Sequence, residues 1–289
     1  MLNIFYNVLP IFLIALIGSL IRKKWLKSDE FWRGLEKLSY YVLYPSVLFE
    51  HILKTDIQAT EIFKLVLALT ISTVIVAVIL IFLQSKLKID RKLFTSVFQG
   101  GTRYNNYILF ALGSALFGDD GLSIVSYISP YMIIFTNIIS VMIFVCYIPK
   151  EGCNTVNSSI ILMIRSIVTN PFILASMIGF TINLYNFELN IGVEKTIQHF
   201  ADTALTIGII IVGASLKFSV RSEYIKLILF TSAIKLLLMP LTTFIVLWLM
   251  KISGVNKSVG ILFSCLPCAS SSYILSRQLG GAPDLYHIQ

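Results

Sequence analysis

The stretch Asn105-Asn106-Tyr107-Ile108-Leu109 returns as Ser271-Ser272-Tyr273-Ile274-Leu275, 166 residues further on. Each copy lies in a polar interruption of an apolar run: Gln99-Gly100-Gly101-Thr102-Arg103-Tyr104 leads into the first, and Pro267-Cys268-Ala269-Ser270 into the second. A duplicated membrane domain explains the echo. Two related halves that each carry a broken apolar helix are the sequence sign of a secondary transporter, whose substrate sits where the broken helices meet.

Composition fixes the solvent. Of 289 residues, 56% are hydrophobic and 13% charged, and the mean hydropathy of +0.83 is more than a water-facing surface could carry. The chain reads as a multi-pass protein of the cell membrane, with the bilayer as its constant partner. A net charge of +8 and a pI near 9.3 would fit nucleic acid, but Lys and Arg come in short clusters between apolar runs, so no nucleic-acid partner is expected. No basic n-region and no small-residue cleavage site precede the first apolar run, so the N-terminal segment is expected to be retained. Cys146, Cys153, Cys265 and Cys268 all lie in or beside apolar segments and offer no extracellular disulfide framework.

Nine apolar segments are long enough, or nearly so, for a core about 30 Å thick at about 1.5 Å per helical residue. They are 3–21, 35–53, 62–83, 93–117, 122–148, 158–184, 203–220, 224–250 and 255–279. None alternates as a barrel strand would. Shifted by 166 residues, segment 2 falls on 201–219 and segment 3 on 228–249, which are segments 7 and 8. The expected fold is therefore all-α and integral to the membrane: two inverted five-helix repeats, 1–150 and 151–289, with segments 4 and 9 broken. The same shift carries Gln289 back onto Ser123, which opens segment 5. The second repeat is thus expected to hold four helices, a ten-helix transporter fold without its last helix.

Charge sets the orientation. Sixteen Lys and Arg, among them Arg22, Lys23, Lys24, Lys27, Lys86, Lys88, Arg91 and Lys92, follow the odd-numbered segments, and five follow the even-numbered ones. The poorer side is outside, and the N-terminus is expected to be extracytoplasmic.

The polar run 99–107 would be costly against lipid and must face protein or water. Gly100 and Gly101 loosen segment 4, and the amides of Asn105 and Asn106 can meet a carboxylate, a cation shell or bare backbone groups. In segment 9, Pro267 removes one helical donor and frees a carbonyl, which the hydroxyls of Ser270, Ser271 and Ser272 can rescue. These polar residues either form a substrate site or only stitch two kinked helices; intramembrane polar clusters favour the first. Arg103 and Lys235 are the costliest residues if buried, and two buried cations favour an anion, although carbonyl pairing for Arg103, and snorkelling or a helix-to-helix hydrogen bond for Lys235, compete. Asp202, placed at the outer mouth of segment 7, either titrates in coupling or caps the helix from Thr203. Cys265-x-x-Cys268 has metal spacing but no second pair, so small-residue packing is expected and no metal. Gly118-Asp119-Asp120-Gly121 reads as a solvated turn. No phosphate loop, nucleophile elbow or zinc helix is present, and an enzyme is not expected.

In this order the motifs resemble the auxin efflux carrier family, which includes bacterial permeases for small carboxylates such as malate and malonate. The carrying residues are Leu9-Pro10-Ile11, Tyr44-Pro45-Ser46-Val47-Leu48-Phe49, the run 99–107 with Leu116-Phe117-Gly118, Asn170-Pro171, Gly213-Ala214-Ser215-Leu216, Lys235 through Pro240, and Leu266-Pro267 through Gly281. The resemblance implies ten helices in inverted repeats, with the substrate at the crossing of helices 4 and 9, so that Asn105, Asn106, Ser271 and Ser272 take the candidate role. Leu109 and Ala111 stand where members often have Gly and Pro.

The expected function is alternating-access transport of a small organic anion such as malate, malonate or an auxin-like acid. The candidate substrate-binding set is Arg103, Asn105, Asn106, Tyr107, Ser270, Ser271 and Ser272. No cofactor is expected beyond a proton or sodium gradient; carriers of this shape commonly pair through a scaffold group of helices, so a homodimer is one option and the oligomeric state stays open. The alternatives are a sodium-coupled organic anion symporter of related fold and a non-transporting, degenerate membrane protein. Substrate identity, direction and coupling ion are not legible in the sequence.

Overall fold

The computed structural model describes residues 2–54, 59–148, 161, 164–165, 168–216, 224–269, 272, 276 and 279. Among these there are helices and no strand. In chain order they are α1 (Leu2–Lys24), α2 (Asp29–Leu38), α3 (Tyr44–Lys54), α4 (Ala59–Leu87), α5 (Arg91–Thr102), α6 (Asn106–Tyr147), α7 (Pro171–Leu184), α8 (Ile191–Ser215), α9 (Ile225–Ala233), α10 (Met239–Leu249) and α11 (Gly254–Cys265). Among the described residues, five stretches are long and apolar enough to cross a membrane: Phe5–Lys24, Thr60–Leu87, Arg91–Tyr147, Ile191–Ser215 and Ile225–Leu249.

Local chemistry sets the boundaries. The Asp90 carboxylate accepts from the N–H groups of Lys92 and Leu93 and starts α5, while Asn170 and Asn190 cap α7 and α8 by accepting from Phe172 and Gly192. Pro171, at the first turn of α7, has no N–H to waste there. Inside α6 the chain reverses at Gly118, whose φ of 59° is a left-handed value that glycine adopts without a steric penalty. The Asp119 turn expected from sequence is this reversal.

Two helices widen where proline follows. Ser39–Leu43 joins α2 to α3 and Ile234–Leu238 joins α9 to α10, each as a π turn closed by an N–H to the carbonyl five residues back, Tyr44 to Ser39 and Met239 to Ile234. Pro45 and Pro240 come next. In a regular α-helix each ring would strike the carbonyl four residues before it, and the wider turn moves that carbonyl aside.

The chain forms two compact units. The first holds residues 1–62, 107–130 and 168–216; the second holds 63–106, 131–167 and 217–289. Each draws on both sequence halves, because repetition and contact divide a chain by different criteria. In the first unit α1 packs along α8, and α3 lies against α7 and α8. The crossing of α1 and α8 is close because a Cβ on Gly18 would strike the Ile210 carbonyl and one on Gly213 the Ala15 backbone. Arg22 at the end of α1 donates to the Ala214 carbonyl at 3.0 Å and pairs with Asp29 at 2.6 Å, so one guanidinium caps α8 and holds the start of α2. In the second unit α9 packs on α5, α10 on α11, and the π turn 234–238 on both α5 and α11.

One boundary expected from sequence is corrected. The sequence places the start of the seventh segment at Thr203, with capping as one of two readings of Asp202, but α8 opens at Ile191 under Asn190, and Asp202 is an exposed residue well inside the helix and not its cap. Hydropathy finds where a helix becomes apolar, not where it begins. Glu194, Lys195, Gln198 and His199 hide the first three turns from it.

Candidate functional site

The two interruptions meet in the second unit. α5 ends at Thr102, whose hydroxyl donates back to the Phe98 carbonyl at 2.7 Å. Arg103 then turns extended, with φ −85° and ψ 162°, and helix resumes at Asn106. The break is three residues long. On the other side α11 ends at Cys265, and residues 266–269 are non-helical. The Asn105 N–H donates to the Pro267 carbonyl at 2.9 Å, so a backbone donor freed by one break is satisfied by the other.

Side chains thicken this junction. Residues 94–105 are buried without exception. One Arg103 guanidinium nitrogen donates to Gln99 Oε1 at 3.0 Å, an i, i+4 bond across the end of α5. The Cys268 thiol lies 3.5 Å from the Gln99 carbonyl and 3.2 Å from Ser272 Oγ. The Tyr104 ring sits 4.2 Å, centroid to centroid, from Phe263 of α11. Gly101 brings α5 close to its neighbours, since a Cβ there would come within 2.9 Å of Leu80 Cδ1 and 3.3 Å of Ile234 Cγ2. Gly100 is buried beside it in the same last turn, and the break falls just after the pair.

Lys235 lies in the π turn that packs on α5 and α11. Its side chain is 3% exposed, and its ammonium has no hydrogen-bond partner among the described residues. Snorkelling would have left the ammonium exposed, and the other competing expectation, a helix-to-helix hydrogen bond, is not made to any described residue. A Lys at the centre of a bilayer costs about 2.5–3.5 kcal/mol on insertion scales. The buried Oδ1 of Asn106, at the first residue of α6, likewise has no hydrogen-bond partner among the described residues.

Among the candidate residues, the junction thus gathers Arg103, Asn105, Asn106, Ser272, Pro267 and Lys235 in one unit. Ser270 and Ser271 lie outside the described residues. Tyr107 belongs to the first unit, where its ring lies 4.6 Å from that of Tyr44 in an aromatic cluster with Phe110 and Phe172. The Tyr44 hydroxyl is buried with no hydrogen-bond partner among the described residues and fills the space that a Cβ on Gly208 would need. Asp202 is exposed and in the first unit.

Sequence reasoning missed Gln99 and Cys268 as members of the junction. Gln99 was visible as the first polar residue of the run, whereas Cys268 looked like packing because the contact that ties it to the other break, the Gln99 carbonyl, is 169 residues away in the chain. Also missed was the ion-pair group of the first unit, in which Lys54 bonds Glu50 at 2.9 Å and reaches Glu194 at 3.7 Å. The Glu50 hydrogen bond holds the Lys54 ammonium above its usual range. Among the described residues no group of three His, Cys, Asp or Glu side chains could hold a metal ion.

A family model described as "membrane transport protein" matches residues 3–286. The chain belongs to this auxin efflux carrier-like membrane transport family. The match runs through both breaks and every described helix. Membership makes the chain a membrane-embedded transporter, in a family of carriers and not of enzymes. No curated protein matches it.

Proposed function

We propose that this member of the family carries a small organic anion, a carboxylate such as malate, malonate or an auxin-like acid, by alternating access through the junction of the two breaks. The observation that carries the reading is the company of Arg103 and Lys235, two buried cations, at a junction with no buried carboxylate among its described residues. An anion supplies the negative charge that the described residues of the junction do not. The α6 N-terminus at Asn106 adds its N–H groups and a positive dipole end, and the Asn105 and Asn106 amides add donors.

The 166-residue echo supports an inverted-repeat origin for this site: shifted by that offset, α4 (59–87) becomes 225–253, where α9 through α10 occupies Ile225–Leu249. Our reading places the N-terminus outside, couples transport to a proton or sodium gradient, and includes Ser270 and Ser271 in the substrate set. Uptake of labelled malate, malonate and an indole carboxylate into proteoliposomes tests it, with a proton gradient imposed or absent and with sodium replaced by choline. Saturable uptake of at least one acid above empty liposomes is expected. Silence toward all three under every gradient would overturn the reading.

A further inference from the structure

Lys235 is buried away from solvent. Its ammonium is enclosed, with no hydrogen-bond partner among the described residues, and its π turn packs on α5 and α11, the helices that run into the two breaks. Arg103 from the first break and Lys235 are both charge neighbours of the Cys268 thiol in the second. Arg103 is engaged with Gln99. Asp90 is the unit's sole carboxylate among the described residues, and it is occupied as the cap at the opposite end of α5. An isolated buried charge persists where something outside the protein offsets its cost.

We infer that Lys235 is the anchor for the carboxylate of the transported anion, which it holds beside Cys268 with Arg103 as the second cation of the seat. This rests on the anion-carrier reading. An ammonium has three donors and no acceptor, so a carboxylate oxygen satisfies it where a neutral solute would satisfy it only in part. The π turn explains the placement: the extra residue forced by Pro240 rotates the segment before it relative to α10, and Lys235 lies in the segment so rotated.

The test uses the full chain in proteoliposomes with Cys146, Cys153 and Cys265 changed to Ser, which leaves Cys268 as the one thiol. Alkylation of Cys268 by N-ethylmaleimide is timed with and without malate, malonate and the indole carboxylate, and KM is measured for whichever acid is transported. In the parent, that acid slows alkylation. In Lys235→Gln, protection disappears and KM rises about ten- to a hundred-fold, the loss of one charge-assisted bond. Lys235→Arg recovers part of both. The unfolding temperature of Lys235→Gln stays level or rises, because an unpaired buried charge has been removed. A lysine that merely holds the fold gives the opposite pattern, a lower unfolding temperature with an unchanged KM, and that result overturns the inference. Parent-like KM and protection in Lys235→Gln also overturn it while leaving the carrier reading intact. A parent that neither transports nor is protected by any of the three acids overturns both. Should the thiol resist alkylation, the KM comparison decides alone.

Discussion

Arg103 shows how one residue can serve both fold and site. Its N–H donates to the Gln99 carbonyl at 2.8 Å and so closes α5, while its guanidinium leans on the Gln99 side chain at 3.0 Å. On the proposed reading, this contact aims the fork before substrate arrives. Arg103→Lys keeps the charge and loses the planar fork, so we expect KM for the transported acid to rise about ten-fold with the fold intact. Gln99→Leu should raise KM several-fold by releasing the guanidinium, with Arg103 still present; an unchanged KM in Gln99→Leu would remove Gln99 from the site. At this scale the sequence was most legible where polarity was out of place. The run 99–107 and Lys235 are expensive in an apolar setting and therefore visible. Cys268 was not, because a thiol costs little in apolar surroundings and its importance lies in neighbours that only folding brings to it.

At the scale of elements, the two π turns were hidden although their cause was in plain view. Tyr44-Pro45 and Met239-Pro240 can be read from the sequence, but a proline in an apolar run can kink, break or widen a helix, and packing chooses among these. Replacing Pro240 with Ala removes the steric reason for the wide turn. We expect residues 234–238 to rewind as α-helix, turning Lys235 by up to about 100° relative to α10, with helicity by circular dichroism preserved and transport reduced. Parent-like flux in this variant would separate the turn from function. Glycine substitutions should rank by what a Cβ meets. Gly34→Ala meets nothing within 4 Å and should stabilise α2 by about 0.5–1 kcal/mol. Gly101→Ala presses on flexible Leu80 and Ile234 side chains, whereas Gly213→Ala meets the Ala15 backbone, which cannot move aside. The last should be the most destabilising, at or above the upper end of about 1–3 kcal/mol, and thermal unfolding in detergent checks the order. The misplaced start of α8 belongs here too: a helix that leaves the apolar layer stays a helix, and hydropathy has no means of following it.

For the molecule as a whole, composition and charge told the most. A chain with 13% charged residues that buries Arg103 and Lys235 and carries basic clusters at alternate segment ends has few solvents open to it. The contrast of sixteen basic residues against five fixes an expected orientation, with Arg22 through Lys27 in the cytoplasm. Single cysteines placed at Lys24 and at Lys195 should react with a membrane-impermeant reagent from opposite sides of sealed vesicles; labelling from the same side would refute the assigned topology. Which segments would form compact units was not legible, because each unit collects pieces from both sequence halves, and no local pattern encodes such long-range choices. The central claim is that an organic anion crosses through the junction at Asn105 and Pro267. Its most direct test is proteoliposome uptake of malate, malonate and the indole carboxylate by the parent chain, Asn105→Ala and Asn106→Ala, all shown to insert and to remain monodisperse. The expected result is saturable uptake by the parent and background uptake by both variants; equal uptake by all three proteins would contradict it.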